Sequence, residues 1–475
     1  MSVSELTRIE SDSIGSLEVP GNAYYGVQSL RAKQNFPITQ RPLNQRFVQN
    51  LARIKKAAAI TNRRAQELDS SKAEAIVRAC DEILEGKLLD QFIVDAIQGG
   101  AGTSANMNAN EVIANRAIEL LGGQKGDYSV VHPNDHVNMA QSTNDVIPSA
   151  GKLTVLDLVP QLTAQLHRLE EALLAKSREF DHVLKMGRTQ LQDAVPMRLG
   201  QTFHSYASLI ARDIRRIECA QHPMYTLNMG GTAIGTAINV SSFYFHNIVR
   251  ELGEETGYPL MQAADLFDAT ENLDGFVEVS SALKTCAVDL SKMCNDLRLL
   301  SSGPKTGLAE INLPAKQNGS SIMPGKINPV IPEVVSQVAF SVIGNDMTIT
   351  MAAEGGQMEL NAFEPVAFDR LFDSLESMTH AVQTLVDNCI TGITANEARC
   401  KQLVDGSVGM ATALCPFVGY KKSAEVAKLA LKTGKTVREV VLEQKLLTAQ
   451  QLDTILDPRR MTTPLAMHEP IAMAE

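Results

Sequence analysis

Apolar residues recur three and four residues apart over long stretches of the chain, which is the spacing of one face of an α-helix. Such stripes cover positions 155–173, 199–210, 335–342 and 371–389. The longest stripe comprises Phe276, Val279, Leu283, Cys286, Leu290, Met293, Leu297 and Leu300. Because no alternation of strands with helices accompanies these stripes, the pattern predicts an all-α protein with a central bundle of long helices.

Helices of this length raise the question of self-association. They would extend roughly 40 Å at about 1.5 Å per residue, which is further than a compact domain requires. Burial of their remaining apolar surface would favour association of several copies of the chain. The alternative, in which the stripes pack only against each other within one chain, is equally compatible with the periodicity.

The two ends of the chain differ from this central region. Residues 1–144 mix short helical patterns with Gly-rich and Asn-rich segments, GGAGTSANMNAN and HPNDHVNMAQSTND. Two capping boxes, which mark helix starts, lie near the other end: Thr436 with Glu439, and Thr448 with Gln451. We predict three domains: a mainly helical N-terminal domain over 1–144, a central helical bundle over 145–394, and a small helical C-terminal domain over 395–475.

The composition of the chain argues against several classes of binding partner. The 44 Lys and Arg against 54 Asp and Glu give a net charge of -10, without the basic excess that nucleic acid binding requires. The first residues lack a signal-peptide pattern and no window has the apolar length of a membrane span, so we expect a cytoplasmic protein with no membrane partner. The seven cysteines include no CxxC pair, which argues against a disulfide framework and a zinc knuckle.

Two short motifs are only weak indicators of a ligand site. Gly100–Ala105 fits the GxGxxA pattern of a dinucleotide site, but the surrounding strand-helix-strand alternation is missing from the sequence. We expect instead that its backbone amides and Thr103 approach a small anion, although an ordinary flexible turn has the same composition. His132 and His136 have a spacing that suits a metal, but Pro133 interrupts the helix, so we favour a structural role and predict no metal ligand.

The most informative segment runs from Gly319 to Pro329 and reads GSSIMPGKINP. It joins hydroxyls, a cation and an amide in a Gly-flanked loop, a chemistry typical of loops that close over substrates. In a purely structural interpretation, Asn328 caps a helix, Pro329 occupies its first turn and Lys326 is solvated. The two interpretations are compatible, because a helix start presents amide donors to an anion.

The same segment, GSSIMPGKIN, resembles the signature of the fumarase/aspartase superfamily. The resemblance continues in the family's order through GGAGTSANMNANEVIANRA, HPNDHVNMAQSTND, KMGRTQLQDAVP, GPKTGLAEINLP and GKTVREVVLEQKLLT. It implies an all-α, three-domain fold whose long-helix bundle forms the core of a homotetramer. It also implies active sites that are each shared between three subunits.

Two positions separate the branches of this family. The residue after Thr189 is Gln190, where fumarases carry His, and Asn328 is followed by PVIPEVVSQV instead of PTQCEA. Both features resemble the ammonia-lyases, which implies L-aspartate and fumarate as ligands. Gln also has a chemical rationale, because an ammonium group is already protonated and leaves as ammonia without a general acid.

Three alternatives stay open at this stage: a fumarase, a lyase for a substituted aspartate, and a non-catalytic protein that retains the fold. Retention of Ser320, Lys326 and Asn328 weighs against the last, because a structural protein has no need of a charged mobile loop.

The resemblance also implies a role for each site residue. Ser320 would be the general base, with Lys326 as the cation that helps to stabilise its ionised form, and Ser321 would supply a neighbouring contact. The other substrate-binding groups would be Thr103, Ser142, Thr143 and Thr189 at the β-carboxylate, Asn144 and Gln190 at the amino group, and Lys326 and Asn328 at the α-carboxylate. No organic cofactor is implied, and activation by a divalent cation such as Mg2+ is compatible with the family.

Overall fold

Helices form most of the protein, whose structure is a computed structural model that describes residues 7–464. The predicted all-α class is therefore confirmed. In chain order the helices are α1 (Val27–Asn35), α2 (Gln45–Arg64), α3 (Ser70–Leu84), α4 (Thr103–Leu120), α5 (Thr143–Glu179), α6 (Leu199–Ala220), α7 (Ser242–Thr256), α8 (Asp268–Glu271), α9 (Asp274–Leu300), α10 (Val330–Glu354), α11 (Glu364–Asn388), α12 (Glu397–Gly406), α13 (Cys415–Val418), α14 (Tyr420–Thr433), α15 (Val437–Glu443), α16 (Ala449–Ile455) and α17 (Pro458–Met461).

The strands form short two-stranded pairs. Three pairs are antiparallel: β1 (Thr7–Asp12) with β2 (Gly15–Pro20), β3 (Leu184–Thr189) with β4 (Gln192–Arg198), and β7 (Ile311–Asn312) with β8 (Thr394–Ala395). One pair is parallel, β5 (Thr226–Leu227) with β6 (Met261–Gln262). Of these, the β3–β4 hairpin carries residues of the predicted site.

The chain forms two compact units. Unit 1 comprises 7–164, Asp213–Ala287 and Ala339–Thr379, and unit 2 comprises Gln165–Arg212, Val288–Val338 and 380–464. The three-domain division expected from the sequence stays a prediction. Across residues 7–464, every helix is either too short or too polar to span a bilayer.

Three of the apolar stripes predicted from the sequence lie on α5, α9 and α11, and the stripes over 199–210 and 335–342 lie on α6 and α10. Every residue of the α9 stripe is buried, and the largest exposed fraction in it is 8% at Leu300. The stripes on α5 and α11 are buried as completely. These three stripes are therefore buried within one chain. Self-association would have to use a different apolar surface.

In unit 1, helix α2 forms much of the core and packs against α3 and α7. The Asn44 side chain begins α2 by accepting hydrogen bonds from the amides of Arg46 and Phe47. Leu51 and Ile54 are completely buried on its inner face. Helix α4 packs against α3.

In unit 2, the last part of the chain forms its own apolar cluster, which includes Leu414, Val426, Val441 and Leu452. Met186 of β3 belongs to the same cluster, so this cluster anchors the β3–β4 hairpin. Both predicted capping boxes are present, at the starts of α15 and α16.

Candidate active site

The turn before α4 places Thr103 at an exposed helix start. Gly100, Ala101 and Gly102 all have left-handed backbone conformations, with φ of 85°, 54° and 83°. Thr103 donates through its amide and its hydroxyl to the Gly100 carbonyl, at 3.0 and 2.7 Å. A Cβ on Gly102 would lie 2.9 Å from the Ile147 side chain, so glycine allows this turn to rest directly on α5.

The segment Ser142–Asn144 forms the start of α5, and the buried carboxylate of Asp145 holds it in place. One oxygen of Asp145 accepts from the Ser142 amide at 2.9 Å. The other oxygen accepts from the amides of Gly230 and Thr232, each at 3.1 Å. Burial raises the pKa of Asp145 to about 6, against the lowering effect of these three amides.

Asn144 is held through both its backbone and its side chain. Its carbonyl accepts from Asn228 Nδ2 at 2.9 Å, and its own Nδ2 donates to the Ala233 carbonyl at 2.7 Å. Within residues 7–464, its Oδ1 atom accepts no hydrogen bond. That atom is therefore available as an acceptor for a donor such as an ammonium group.

Lys55 lies completely buried beneath the start of α5. Its Nζ donates to Asn106 Oδ1 at 2.7 Å, Asn138 Oδ1 at 2.8 Å and Gln141 Oε1 at 2.9 Å. Asn106 in turn donates to Thr143 Oγ1 at 3.2 Å. Burial lowers the pKa of Lys55 to about 7, while the charge of a nearby carboxylate acts in the opposite direction.

This network joins the two helices whose starts carry the predicted site residues of unit 1. Asn106 lies one helical turn after Thr103 on α4, so both side chains are on neighbouring positions of the same helix. Through Asn106, the buried Lys55 links the start of α4 to Thr143 at the start of α5. Thr143 is thereby bonded to the Lys55 network, whereas Ser142 is held by Asp145 and Asn144 by Asn228.

In unit 2, Thr189 and Gln190 are exposed at the tip of the β3–β4 hairpin. Thr189 pairs with Gln192, so the turn consists of Gln190 and Leu191, whose φ angles are 53° and 63°. Turns of this shape favour Asn-Gly, because side chains such as Gln and Leu are strained at positive φ. Strain that is retained at an exposed tip is typical of functional segments.

The base of this hairpin is fixed by Glu310, whose side chain is completely buried. Its carboxylate accepts from Arg188 Nη1 at 2.9 Å and lies 3.3 Å from Lys185 Nζ. Arg188 directly precedes Thr189. One buried anion between two cations therefore sets the direction in which the strand delivers Thr189 and Gln190.

The loop of the GSSIMPGKIN segment surrounds the Ser320 hydroxyl with backbone donors. The amides of Ile322 and Met323 both donate to Ser320 Oγ at 3.2 Å. Asn328 Nδ2 donates to the Gly319 carbonyl at 3.0 Å and so joins the two ends of the loop. Two amide donors stabilise a negative charge on the serine oxygen, which is the state that a serine base requires.

The remaining residues of this loop face solvent. The side chains of Ser321 and Lys326 are exposed. The interpretation of Asn328 as a helix cap is wrong, because its side-chain amide closes the loop and α10 begins only at Val330. Pro329 likewise precedes the helix and does not occupy its first turn. Among residues 7–464, no hydrogen bond joins this loop to the hairpin tip, so the two are separate segments of unit 2.

The histidines singled out by their spacing serve the local backbone. His132 Nδ1 accepts from the amides of Asn134 and Asp135, at 3.2 and 3.1 Å. His136 Nδ1 accepts from the His132 amide at 2.7 Å. In the described part of the chain, no three His, Cys, Asp or Glu side chains converge as metal ligands.

Comparison with known families decides the membership of the chain. Residues 15–344 match the family described as lyase, and residues 410–463 match the family described as the fumarase C C-terminus. The chain belongs to the fumarase/aspartase superfamily.

Individual superfamily members match over nearly the whole chain. An aspartate ammonia-lyase from a Bacillus species is 52% identical over 457 residues, which cover 96% of this chain and 98% of that protein. The fumarate lyase:delta crystallin from Brucella melitensis, solved with bound cobalt, is 51% identical with a TM-score of 0.94, covering 97% of this chain and 100% of the other. The class II fumarase from Schistosoma mansoni is 36% identical with a TM-score of 0.91, covering 96% and 99%.

Sequence reasoning missed three buried charged residues that support the candidate site residues: Lys55, Asp145 and Glu310. A lysine inside the apolar helical run RIKKAAAI was a weak signal for the first. For Asp145 and Glu310 the sequence offered no comparable signal, because Gly230 lies 85 positions from Asp145 and Arg188 lies 122 positions from Glu310. Hydroxyls and amides among the candidate residues are thus supported locally by buried charged side chains, and such donors are suited to stabilising an anion.

Proposed function

We propose that the protein catalyses the reversible deamination of L-aspartate to fumarate and ammonia. The substrate assignment is supported by near-full-length similarity to aspartate ammonia-lyases and by Gln190 in place of the fumarase histidine. The chemistry is supported by one observation above all, the two backbone amides that donate to Ser320 Oγ. A serine with that environment is equipped to act as a base.

The reaction proceeds in two steps. Ser320, as an alkoxide, takes a proton from the carbon next to the β-carboxylate, and the electron pair moves into that carboxylate to form an aci-carboxylate dianion. The electron pair then returns to form the carbon-carbon double bond, and the carbon-nitrogen bond breaks so that ammonia leaves. Ser320 holds the abstracted proton at the end of the step and releases it before the next turnover.

The dianion is the main energetic problem of this reaction. Thr103, Ser142, Thr143 and Thr189 would donate to the β-carboxylate, and each well-placed donor is worth about 3 kcal/mol in the transition state. Their value depends on rigid positioning. The Lys55 network supplies that rigidity at Thr143, since Asn106 is itself held by the buried ammonium.

The amino group and the α-carboxylate are assigned to the remaining residues. The free Oδ1 of Asn144 would accept from the substrate ammonium, with Gln190 as a second contact. Lys326 and Asn328 would bind the α-carboxylate once the loop closes, with Ser321 beside them. Closure would also exclude water from Ser320, which raises the basicity of an alkoxide.

We further propose a homotetramer in which each active site uses residues of three chains. Helix α10 exposes a stripe of large apolar side chains that includes Val334 (41% exposed), Phe340 (62%), Met347 (63%) and Met351 (57%). An uncovered apolar stripe along a helix of 25 residues is typical of an interaction surface. The exposure of Thr103, Thr189, Gln190 and Lys326 in one chain is consistent with a site completed by neighbouring chains.

No organic cofactor enters this mechanism, and we propose a cytoplasmic enzyme. Activation by a divalent cation such as Mg2+ is also proposed, although the described residues of one chain form no three-ligand cluster. Rates measured after treatment with EDTA and after addition of MgCl2 test this point. Unchanged rates would remove the cation from the proposal.

The reaction itself is tested by mixing the protein with L-aspartate and, separately, with L-malate. Fumarate is followed by the ultraviolet absorbance of its double bond and ammonia by a coupled assay. Fumarate and ammonia from aspartate alone support the proposal, whereas fumarate from malate alone would make the protein a fumarase. If neither compound yields fumarate, a substituted aspartate as substrate or a non-catalytic role would be favoured.

A further inference from the structure

A cavity of about 400 Å³ lies in unit 1 between the start of α2 and one face of α11. Its volume falls within the roughly 300–1,000 Å³ of typical small-molecule sites. Among the described residues, none of those assigned to the active site lines this cavity. Its wall does include Gly102 and Ile147, which directly adjoin the turn before Thr103 and the start of α5.

Part of the cavity lining is aromatic. Phe47, Phe368 and Phe372 form a cluster in which the ring centroids are 5.9 to 6.2 Å apart. All three rings line the cavity, together with Leu43. Such a surface favours a flat or branched hydrocarbon group, and the faces of the rings also attract cations.

The cavity lining also contains acidic residues. Asp369, Asp373 and Glu376 follow one another at intervals of four and three residues along α11, and all line the cavity. Asp369 is neutralised by Arg41, whose Nη2 lies 2.5 Å away, and by Arg370.

The other two carboxylates have no cation beside them among residues 7–464. Asn345 Nδ2 lies 3.3 Å from Asp373 Oδ2, and Asn44 Nδ2 donates to Glu376 Oε1 at 2.9 Å. Amide donors of this kind leave both negative charges in place. The lining of the cavity therefore combines a net negative charge with aromatic rings.

We propose that this cavity binds a small organic ammonium compound with an apolar body. The ammonium group would lie between Asp373 and Glu376 and neutralise part of their negative charge. The hydrocarbon body would lie against Phe47 and Phe372. The combination of charge and aromatic surface selects against anions and against simple inorganic cations, which gain nothing from the apolar wall.

Calorimetric titration of the assembled protein with 2-phenylethylammonium tests the site, with 2-phenylethanol as the neutral counterpart of the same shape. Saturable binding of the amine, at least about tenfold tighter than that of the alcohol, is expected from a charge-assisted contact. Equal affinities for the two compounds, or no binding of the amine, would overturn the proposal. The measurement needs no turnover, so it is independent of the proposed reaction.

The location is tested with the double variant Asp373→Asn/Glu376→Gln, which removes both charges with little change of shape. Glu67→Gln/Glu359→Gln removes two charges from exposed positions and serves as the matched control. We expect the first variant to lose at least about tenfold in amine affinity and the control to retain it. Amide hydrogen exchange should show amine-dependent protection of segments 41–47 and 365–376, and equal losses in both variants or protection elsewhere would refute the site.

Discussion

Gly319 and Lys326 approach each other so closely that only glycine fits at position 319. A Cβ built on Gly319 would lie 1.8 Å from the Lys326 carbonyl oxygen. The Asn328 side chain holds the same glycine from its carbonyl side at 3.0 Å. The loop that carries Ser320 is therefore closed on itself by its own backbone, and its shape depends on the absence of one side chain.

The first prediction concerns this closure. Gly319→Ala should displace the Ser320 loop and lower kcat by about 100-fold, the penalty for a displacement of roughly 1 Å at a reacting group. Helical content should remain unchanged by circular dichroism. Gly406→Ala is the matched control, because nothing lies within 4 Å of a Cβ at that position. Wild-type kcat in Gly319→Ala would show that the close approach of Gly319 to Lys326 is not needed for catalysis.

Removal of the proposed base should lower turnover more than Gly319→Ala does. Ser320→Ala deletes the oxygen that accepts from Ile322 and Met323, so turnover should fall by about 10³-fold or more while the fold stays intact. Steady-state assays and sedimentation of the purified variant check both parts. Ser129→Ala, at an exposed serine of another segment, should retain full activity. A Ser320→Ala protein with wild-type turnover would exclude serine as the base.

The hairpin tip offers a test of stored strain. Replacing the turn residues in Gln190→Asn/Leu191→Gly supplies the pair that positive φ favours, which should stabilise the folded state by about 1 kcal/mol. Asn keeps the amide but is one methylene shorter, so the amide would no longer reach the substrate and kcat/KM should at the same time fall by about tenfold. Thermal unfolding and kinetics on the same preparation measure the two effects. An unchanged midpoint would show that the turn is not strained.

The buried Lys55 predicts a pH dependence of stability. Burial lowers its pKa in the folded state to about 7 from 10.5, so between these values the unfolded chain binds more protons than the folded one. The Lys55 contribution to the free energy of unfolding should therefore increase as pH rises from 7 towards 10, and should be flat below 7. Urea unfolding of wild type and Lys55→Met at several pH values checks this difference. A difference that shrinks with rising pH would contradict it.

The exposed face of α10 predicts the consequence of blocking self-association. Phe340→Glu/Met347→Glu places two charges on that face, so the assembly should dissociate and activity should be lost with it. Leu431→Glu, a charge at an exposed apolar position of α14, is the control and should leave the assembly intact. Sedimentation velocity gives the size of each variant. A fully active monomer would refute the shared active site.

The sequence by itself determined the helices and their buried faces. The stripe from Phe276 to Leu300 and the capping box at Thr436 both appear in the structure where they were predicted. Each is a local pattern: the spacing of apolar residues follows the helical repeat, and a cap is formed by residues three positions apart. The candidate residues of the site also came from the sequence, through motifs that are contiguous in the chain.

Only the tertiary structure decided how those candidates are supported. Lys55 supports the candidate site because folding buried it beside Asn106, and Asp145 does so because folding brought Gly230 to its carboxylate. The same is true of the cavity between α2 and α11, and of the choice of which apolar surface stays uncovered. Burial and long-range distances depend on how distant segments pack together, and no spacing within one segment contains that information.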